Sequence, residues 1–365
     1  MPKIRVLIVD DAVVFRRLVA DELARDPALE VVGTAANGRI ALAKMTQVNP
    51  EVVILDVEMP EMDGLATLKE LRKAYPRLPV IMFSALTERG AEATLDALAL
   101  GASDYFTKPA SAEGADACLA VIREQLIPQI KALCARDGHA ASGAVRRNFI
   151  ARSPPGPAPP SPAVTRFPPG PVRVMAIGAS TGGPNALAEI FSQLPADFPV
   201  PIVIVQHMPP MFTRLLAERL SAHSAIPVQE ATSGALLEPG MAWIAPGDYH
   251  MIVTRDGTQT RLLMHRDPPE NSCRPAVDVL LRSLAKVFGH DSLNVILTGM
   301  GQDGLRGCEL VREAGGQILV QDEATSVVWG MPGAVARAGL ADRVLPLSFI
   351  ADEILRRVRQ YQRAT

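Results

Sequence analysis

The sequence predicts two doubly wound parallel α/β domains joined by a proline-rich tether, and three observations point there. Short β-branched runs alternate with helical periodicity along both halves of the 365-residue chain. Chemistry-bearing side chains fall just after those runs rather than inside them, as they do in open α/β sheets. Between the halves, S-P-P-G-P-A-P-P-S-P-A-V-T-R-F-P-P-G-P (153–171) holds nine of the 31 prolines, too many for helix or central strand. The polar, small-residue stretch before it moves the start of the tether back to about 136. Domains are therefore expected at 1–135 and 172–365, with a linker at 136–171.

The elements follow in order. Strands are expected at I-R-V-L-I-V-D, L-E-V-V-G-T-A, E-V-V-I-L-D, P-V-I-M-F-S and D-Y-F-T-K, with helices such as F-R-R-L-V-A-D-E-L-A and A-T-L-K-E-L-R-K-A-Y between them. Pro128 interrupts the last helical pattern of this half and predicts a kink. The second half repeats the alternation in V-R-V-M-A-I-G, V-P-I-V-I-V-Q-H, L-N-V-I-L-T-G and G-Q-I-L-V-Q-D. Its middle, 228–266, has P-V-Q-E-A, M-A-W-I-A-P and R-L-L-M-H between Gly/Asp turns, which predicts a short antiparallel insertion.

Composition removes several function classes. With 48% hydrophobic residues the chain can bury two cores, and a net charge of -2 leaves no electrostatic footprint for nucleic acid. The four cysteines, Cys118, Cys134, Cys273 and Cys308, lack metal-ligand spacing and read as reduced thiols. No apolar run is long enough to span a bilayer, and the start carries no secretory pattern. A cytoplasmic monomer that neither binds nucleic acid nor inserts into membrane is expected.

In the first half, strand one ends in Asp10-Asp11, strand three in Asp56, strand four in Ser84 and strand five in Lys108. In a parallel sheet these ends share one edge. Three carboxylates there repel one another unless a hard cation holds them, and Mg²⁺ suits carboxylates together with phosphate oxygens. One carboxylate is then a candidate phosphoryl acceptor, with lysine and serine to meet the phosphoryl oxygens. Any one of these aspartates alone reads as a helix cap; four strand ends together read as a site.

I-V-D-D, I-L-D-V-E-M-P-E-M-D-G, F-S-A and F-T-K-P resemble the receiver domain of bacterial response regulators, a flavodoxin-like fold. The resemblance covers nearly all of 1–130. It implies Asp56 as phosphoacceptor and Mg²⁺ held by Asp10, Asp11, Asp56 and the backbone carbonyl of Glu58. It further implies Lys108 and Ser84 as phosphoryl binders, Phe106 as an aromatic switch, and a sensor histidine kinase as phosphodonor.

In the second half, M-A-I-G-A-S-T-G-G-P carries Ser180 between a strand and a helix. A dinucleotide loop needs glycine where Ser180 stands and an acid after the next strand, which ends instead in Gln206-His207. G-A-S-T-G does match a nucleophile elbow. Strand-end logic then brings His207 and Asp303 to the same edge as Ser180. Histidine takes a serine proton and aspartate fixes its tautomer, so the set suits acyl transfer. The order Ser…His…Asp differs from that of α/β-hydrolases, so the triad sits on another fold. Backbone N–H groups after Ser180 or in Gly299-Met300-Gly301 are candidate oxyanion donors. His250 and His265 read as structural hydrogen-bonders or substrate contacts, Asp303 alternatively as an N-cap of L-R-G-C-E-L, and Asp278 as a polar position on an amphipathic helix.

A-I-G-A-S-T-G-G, V-I-V-Q-H-M, I-A-P-G-D-Y-H-M, R-P-A-V-D-V-L, L-T-G-M-G-Q-D-G and W-G-M-P resemble the catalytic domain of chemotaxis protein-glutamate methylesterases, a Rossmann-like three-layer fold. The resemblance implies Ser180 as nucleophile, His207 as base, Asp303 as orienting acid, the Met300 amide as oxyanion donor and Thr181 beside the site. It implies a methyl-accepting chemoreceptor as substrate, glutamine deamidation as a companion activity, and no cofactor for the esterase. Cys273 replaces the histidine expected in N-x-H-R-P-S-V-D, and Gln302 stands where Asn or Asp is usual; neither is expected to touch the triad. Three other readings remain: a receiver-controlled esterase for another protein or small-molecule ester, a DNA-binding output domain, and a binding module that has lost catalysis.

Overall fold

The computed structural model describes residues 2–85, 87–108, 114–135 and 171–360. The proline-rich tether expected at 136–171 lies outside them but for residue 171. The N-terminal half runs β1 Ile4–Val9, α1 Val13–Leu23, β2 Leu29–Ala35, α2 Gly38–Val48, β3 Val52–Asp56, α3 Gly64–Ala74, β4 Val80–Ser84, α4 Glu88–Ala99 and β5 Asp104–Thr107. Its five strands pair in parallel in the order β2-β1-β3-β4-β5. β3 and β4 are buried along their whole length, which is why they read as unbroken apolar runs. Side chains that hydrogen-bond poorly inside helices start them here: Asn37, Asp63 and Thr87 accept the first free N–H groups of α2, α3 and α4.

The half closes with α5 Gly114–Val121, a wide π turn at Ile122–Leu126 and α6 Ile127–Cys134. Pro128 lies inside a continuous helix, since Leu126 before α6 is itself helical, and the widened π turn just before it takes up the irregularity.

The C-terminal half comprises β6 Val174–Ala179, α7 Gly183–Phe191, β7 Ile202–Gln206, α8 Phe212–His223, β8 Val228–Glu230, β9 Ala242–Ile244, β10 His250–Asp256 and β11 Gln259–His265. It continues with α9 Val277–Val287, β12 Ser292–Ile296, α10 Leu305–Glu313, β13 Gln317–Gln321, α11 Met331–Arg337, β14 Arg343–Leu345 and α12 Leu347–Gln360. Seven strands form one sheet in the order β14-β13-β12-β6-β7-β9-β8. Chain order reverses between β6 and β12, and crevices open at the carboxyl ends of strands at such points.

The expected antiparallel insertion is only partly present. P-V-Q-E-A and M-A-W-I-A-P supply β8 and β9, which join the main sheet in parallel, Ile202 lying opposite Ala242. Three-residue strands carry too little alternation to reveal direction, and burial of Ala242 and Ile244 inside the layer decides it. R-L-L-M-H alone is antiparallel, as β11 against β10, a strand the sequence reading did not include.

The halves pack against each other through α4, α7 and α8. Tyr105 stacks on Phe212 at 5.0 Å and 10°, Asn185 Nδ2 donates to Leu98 O at 2.7 Å, and Arg214 and Arg219 pair with Glu88 and Asp96 at 2.6 Å each. These rim ion pairs are worth at most about 1 kcal/mol each, so the stacked pair of half-buried Tyr105 and buried Phe212, with its apolar surroundings, holds the interface.

Candidate active site and acidic cluster

β6, β7 and β12 are neighbours, and the connection after each carries a candidate residue: Ser180, His207 and Asp303. Ser180 follows β6 in a tight turn: its N–H donates to Thr298 O at 3.0 Å, and its carbonyl accepts Gly183 N–H at 2.7 Å. The turn passes through Gly182 at φ +77, where a Cβ would stand 2.5 Å from Val327. Gln206, the last residue of β7, donates through Nε2 to Ser180 O at 2.9 Å, and His207 N–H donates to Ala179 O at 3.1 Å. Backbone bonds thus tie the serine and histidine turns together.

His207 Nε2 lies 2.8 Å from Asp303 Oδ2. Asp303 also accepts Val277 N–H at 2.6 Å, Asp278 N–H at 3.1 Å, Gly304 N–H at 3.0 Å and Asn271 Nδ2 at 2.9 Å. Its carboxylate therefore sits on the N-terminus of α9 rather than capping α10. Burial favours its neutral form, but His207 and these donors outweigh burial and lower its pKa. Burial likewise opposes charge on the His207 ring, yet Asp303 and the Cys273 sulfur beside it raise its pKa.

Asp278 is no exposed helix position. It is buried, Oδ1 accepting Gly307 N–H at 2.7 Å and Oδ2 accepting Asn271 Nδ2 at 2.8 Å. Burial and the nearby Asp303 charge push its pKa up. His250 is structural: Nδ1 accepts Ala276 N–H at 3.3 Å, so Nε2 carries the proton it donates to Pro268 O at 3.1 Å.

The expectation for Cys273 was wrong. Its Sγ lies 3.6 Å from His207 Nδ1, whereas no hydrogen bond joins Ser180 to the ring among the described residues. Spacing along the chain could not reveal this, because the 271–276 loop folds back onto β7 from 66 positions away.

A cavity of about 710 Å³ holds these groups, lined by Ser180, Thr181, His207, Cys273, Arg274 and Met300. Among the described residues, neither the Thr181 nor the Met300 N–H donates to a protein acceptor. The other wall comes from the N-terminal half, through Asp104, Tyr105, Phe106 and Gln129. Asp104 hydrogen-bonds the Thr181 side chain; burial raises the Asp104 pKa against that bond and the one from Gln129.

In the acidic cluster, Asp10, Asp11 and Asp56 place carboxylate oxygens within 4.8 Å of one another. Lys108 Nζ lies 2.7 Å from Asp56 Oδ2 and 2.8 Å from Asp10 Oδ2. Apart from this ion pair the buried Asp10 Oδ2 has no hydrogen-bond partner, and the donor set fits a divalent cation. Burial raises the Asp56 pKa to about 6, against the pull of Lys108. The Glu58 side chain points elsewhere, 3.8 Å from Arg89, leaving only its carbonyl for the expected role. Ser84 is buried with its hydroxyl donating to Gly90 O at 2.9 Å, and Phe106 is buried 5.3 Å from Phe83.

Comparison with known proteins fits this geometry. The family described as CheB methylesterase matches residues 175–354, and the response regulator receiver domain matches 6–118. A protein-glutamate methylesterase/protein-glutamine glutaminase of Trichodesmium erythraeum (strain IMS101) is 55% identical over 366 residues, covering 98% of this chain and 100% of that protein. The chain belongs to the protein-glutamate methylesterase family. A second member, from Nocardioides sp. (strain ATCC BAA-499 / JS614), is 52% identical over 98% of this chain and 96% of its own. The crystal structure of the Thermotoga maritima CheB methylesterase catalytic domain aligns with a TM-score of 0.50 at 42% identity, covering 50% of this chain and 97% of that one. Among the described residues of this methylesterase, no helix is long and apolar enough to cross a membrane.

Proposed function

We propose that this chain is a phosphorylation-gated hydrolase that demethylates glutamyl methyl esters of chemoreceptors and deamidates receptor glutamines. The observation that carries the reading is the His207–Asp303 pair, opening into one cavity with Ser180 and two unpaired backbone amides. Ser180 Oγ attacks the ester carbonyl and its proton passes to His207 Nδ1, because Nε2 is committed to Asp303. Asp303 stabilises the imidazolium so formed. The Met300 and Thr181 amides receive the developing oxyanion. Collapse expels methanol, which takes its proton from His207; water then attacks the acyl-serine by the same relay and frees the glutamate carboxylate. With glutamine, ammonia is the leaving group. This chemistry needs no cofactor in the C-terminal half.

Gating belongs to the N-terminal half, for which we take 1–135, tethered by 136–171 to an esterase half at 172–365. Asp56 accepts the phosphoryl group from a sensor kinase. Asp10, Asp11, Asp56 and the Glu58 carbonyl hold Mg²⁺, which when bound offsets the charge of the entering phosphoryl group. Lys108 and Ser84 meet its oxygens, which requires Ser84 to leave Gly90, and Phe106 relays the change. Undocking at Tyr105–Phe212 then opens the cavity to a bulky receptor helix. The protein acts as a cytoplasmic monomer in this reading.

Methanol release from methyl-labelled receptor tests it against hydrolysis of a simple aryl ester. The receptor is expected to be the better substrate of the phosphorylated protein, and Ser180→Ala to abolish both activities. Equal or greater efficiency on the aryl ester would favour a small-molecule esterase.

A further inference from the structure

The group nearest the free nitrogen of His207 is a thiol. Nε2 is spent on Asp303 at 2.8 Å, and Nδ1 faces Cys273 Sγ at 3.6 Å. The thiol is held there by its loop. Glu270 and Cys273 exchange two backbone hydrogen bonds, at 3.1 and 2.9 Å, across a turn that puts Asn271 at φ 53 and Ser272 at φ 62. Both lie in the left-handed region, which non-glycine residues enter only when the surroundings dictate it. Asn271 in turn bridges Asp278 and Asp303. These bonds fix the backbone of Cys273 beside the ring and tie its loop to the carboxylate that orients His207.

We propose that Cys273 is a positioning residue for His207: its thiol occupies Nδ1 and competes with Ser180 for it. The proposal rests on the reading of Ser180 and His207 as hydrolytic groups. With the ring neutral and its proton on Nε2, the S–H donates to Nδ1. If the proton crosses, sulfur keeps the electron pair and the ring becomes imidazolium. In both states the nitrogen that must accept the Ser180 proton is already engaged. The other charged groups around the ring stand farther off: Asp278 behind Asp303, the Arg274–Asp248 pair at the cavity mouth, and Asp104 and Glu124 on the opposite wall. Burial opposes charge on the ring, and Asp303 with Cys273 reverses that balance.

Removal of the thiol should then free the base and make it less basic. A cysteine that only filled space would leave the His207 titration where it was. Histidine-¹⁵N NMR on the full-length protein reads this directly. In Cys273→Ala the His207 pKa is expected to fall by about one unit, and the acid limb of kcat/KM to move down with it. Cys273→Ser, which cannot form the ion pair, should resemble Cys273→Ala. An unmoved His207 titration in Cys273→Ala overturns the proposal.

Should that variant fail to fold, alkylation of the wild type decides. Iodoacetamide forms an S–C bond at Cys273 as iodide leaves and His207 keeps the thiol proton. His207→Gln should slow this about tenfold relative to Cys118, read by peptide mass; an unchanged ratio overturns the proposal. A shifted His207 titration together with normal hydrolysis by Ser180→Ala would instead remove the hydrolase reading and leave the Cys273–His207 coupling standing.

Discussion

Asp303 Oδ2 is shared between the His207 ring, 2.8 Å away at Nε2, and the first N–H of α9, 2.6 Å away at Val277. One oxygen thus fixes the tautomer of the base and anchors a helix. Asp303→Asn separates these roles, because an amide Nδ2 turned to His207 meets an N–H instead of accepting it. The ring is expected to flip its tautomer and kcat to fall about 10⁴-fold with the fold retained. Methanol release and circular dichroism on one preparation check both. Retention of most of the activity would remove Asp303 from the orienting role.

The same pair makes stability depend on pH with a definite sign. The folded His207 pKa is raised from the ordinary 6.5 to about 10. A base whose folded pKa is raised contributes in full below its unfolded value and loses that contribution as pH rises through the folded value. Between pH 6.5 and 10 the wild type should lose unfolding free energy relative to His207→Gln, by up to about 1.4 kcal/mol per pH unit. Urea unfolding at several pH values, with the variant as reference, gives the difference, and parallel curves would contradict it.

Packing at the nucleophile turn predicts a third outcome. A Cβ on Gly183 would stand 1.9 Å from Gln206 Oε1 and 2.9 Å from Ala179 Cβ. Gln206 cannot withdraw freely, since its Nε2 holds the Ser180 carbonyl. Gly183→Ala should cost about 1–3 kcal/mol and lower kcat by displacing Ser180. Thermal melting and methanol release are expected to fall together; a neutral Gly183→Ala would mean that the turn relaxes without consequence.

Much of this was legible in the sequence because parallel sheets print their strands as apolar runs and their functional edge as the residue after each run. Asp10, Ser180 and His207 follow that rule, Asp56 closes its own strand, and Asp303 lies seven residues beyond the end of β12 at Ile296. What escaped belongs to contacts that periodicity does not encode. β8 and β9 are too short to declare a direction. Asp278 sits on a helix whose apolar stripe hides the fact that its polar position is buried too. Cys273 reaches His207 only through a left-handed turn, and Asn and Ser do not advertise that conformation as glycine would. Thr181 is legible as a near-site residue, but nothing in the sequence shows that Asp104, a residue of the other half, holds its side chain.

That last contact leads to the gating prediction. Tyr105 follows Asp104 on β5 and stacks on Phe212, so one strand supplies both the bond to Thr181 and the aromatic anchor of the interface. β5 also carries Phe106 and leads to Lys108, so in the proposed gating a phosphoryl group on Asp56 would act on the strand that covers the cavity. Loss of the stacked pair should weaken docking by about 1 kcal/mol or more. With the halves tethered by 136–171 as proposed, only part of the population should open. Tyr105→Ala is therefore expected to raise unphosphorylated receptor demethylation several-fold and to shrink the further rise given by acetyl phosphate with Mg²⁺. Asp56→Ala should remove that rise and leave the basal rate. The rise should also fade in acid, as the buried Asp56 carboxylate takes up a proton. Demethylation by the wild type, Tyr105→Ala and Asp56→Ala, each with and without phosphodonor, decides the matter. A basal rate unchanged by Tyr105→Ala would mean that the β5 contact does not restrain the enzyme.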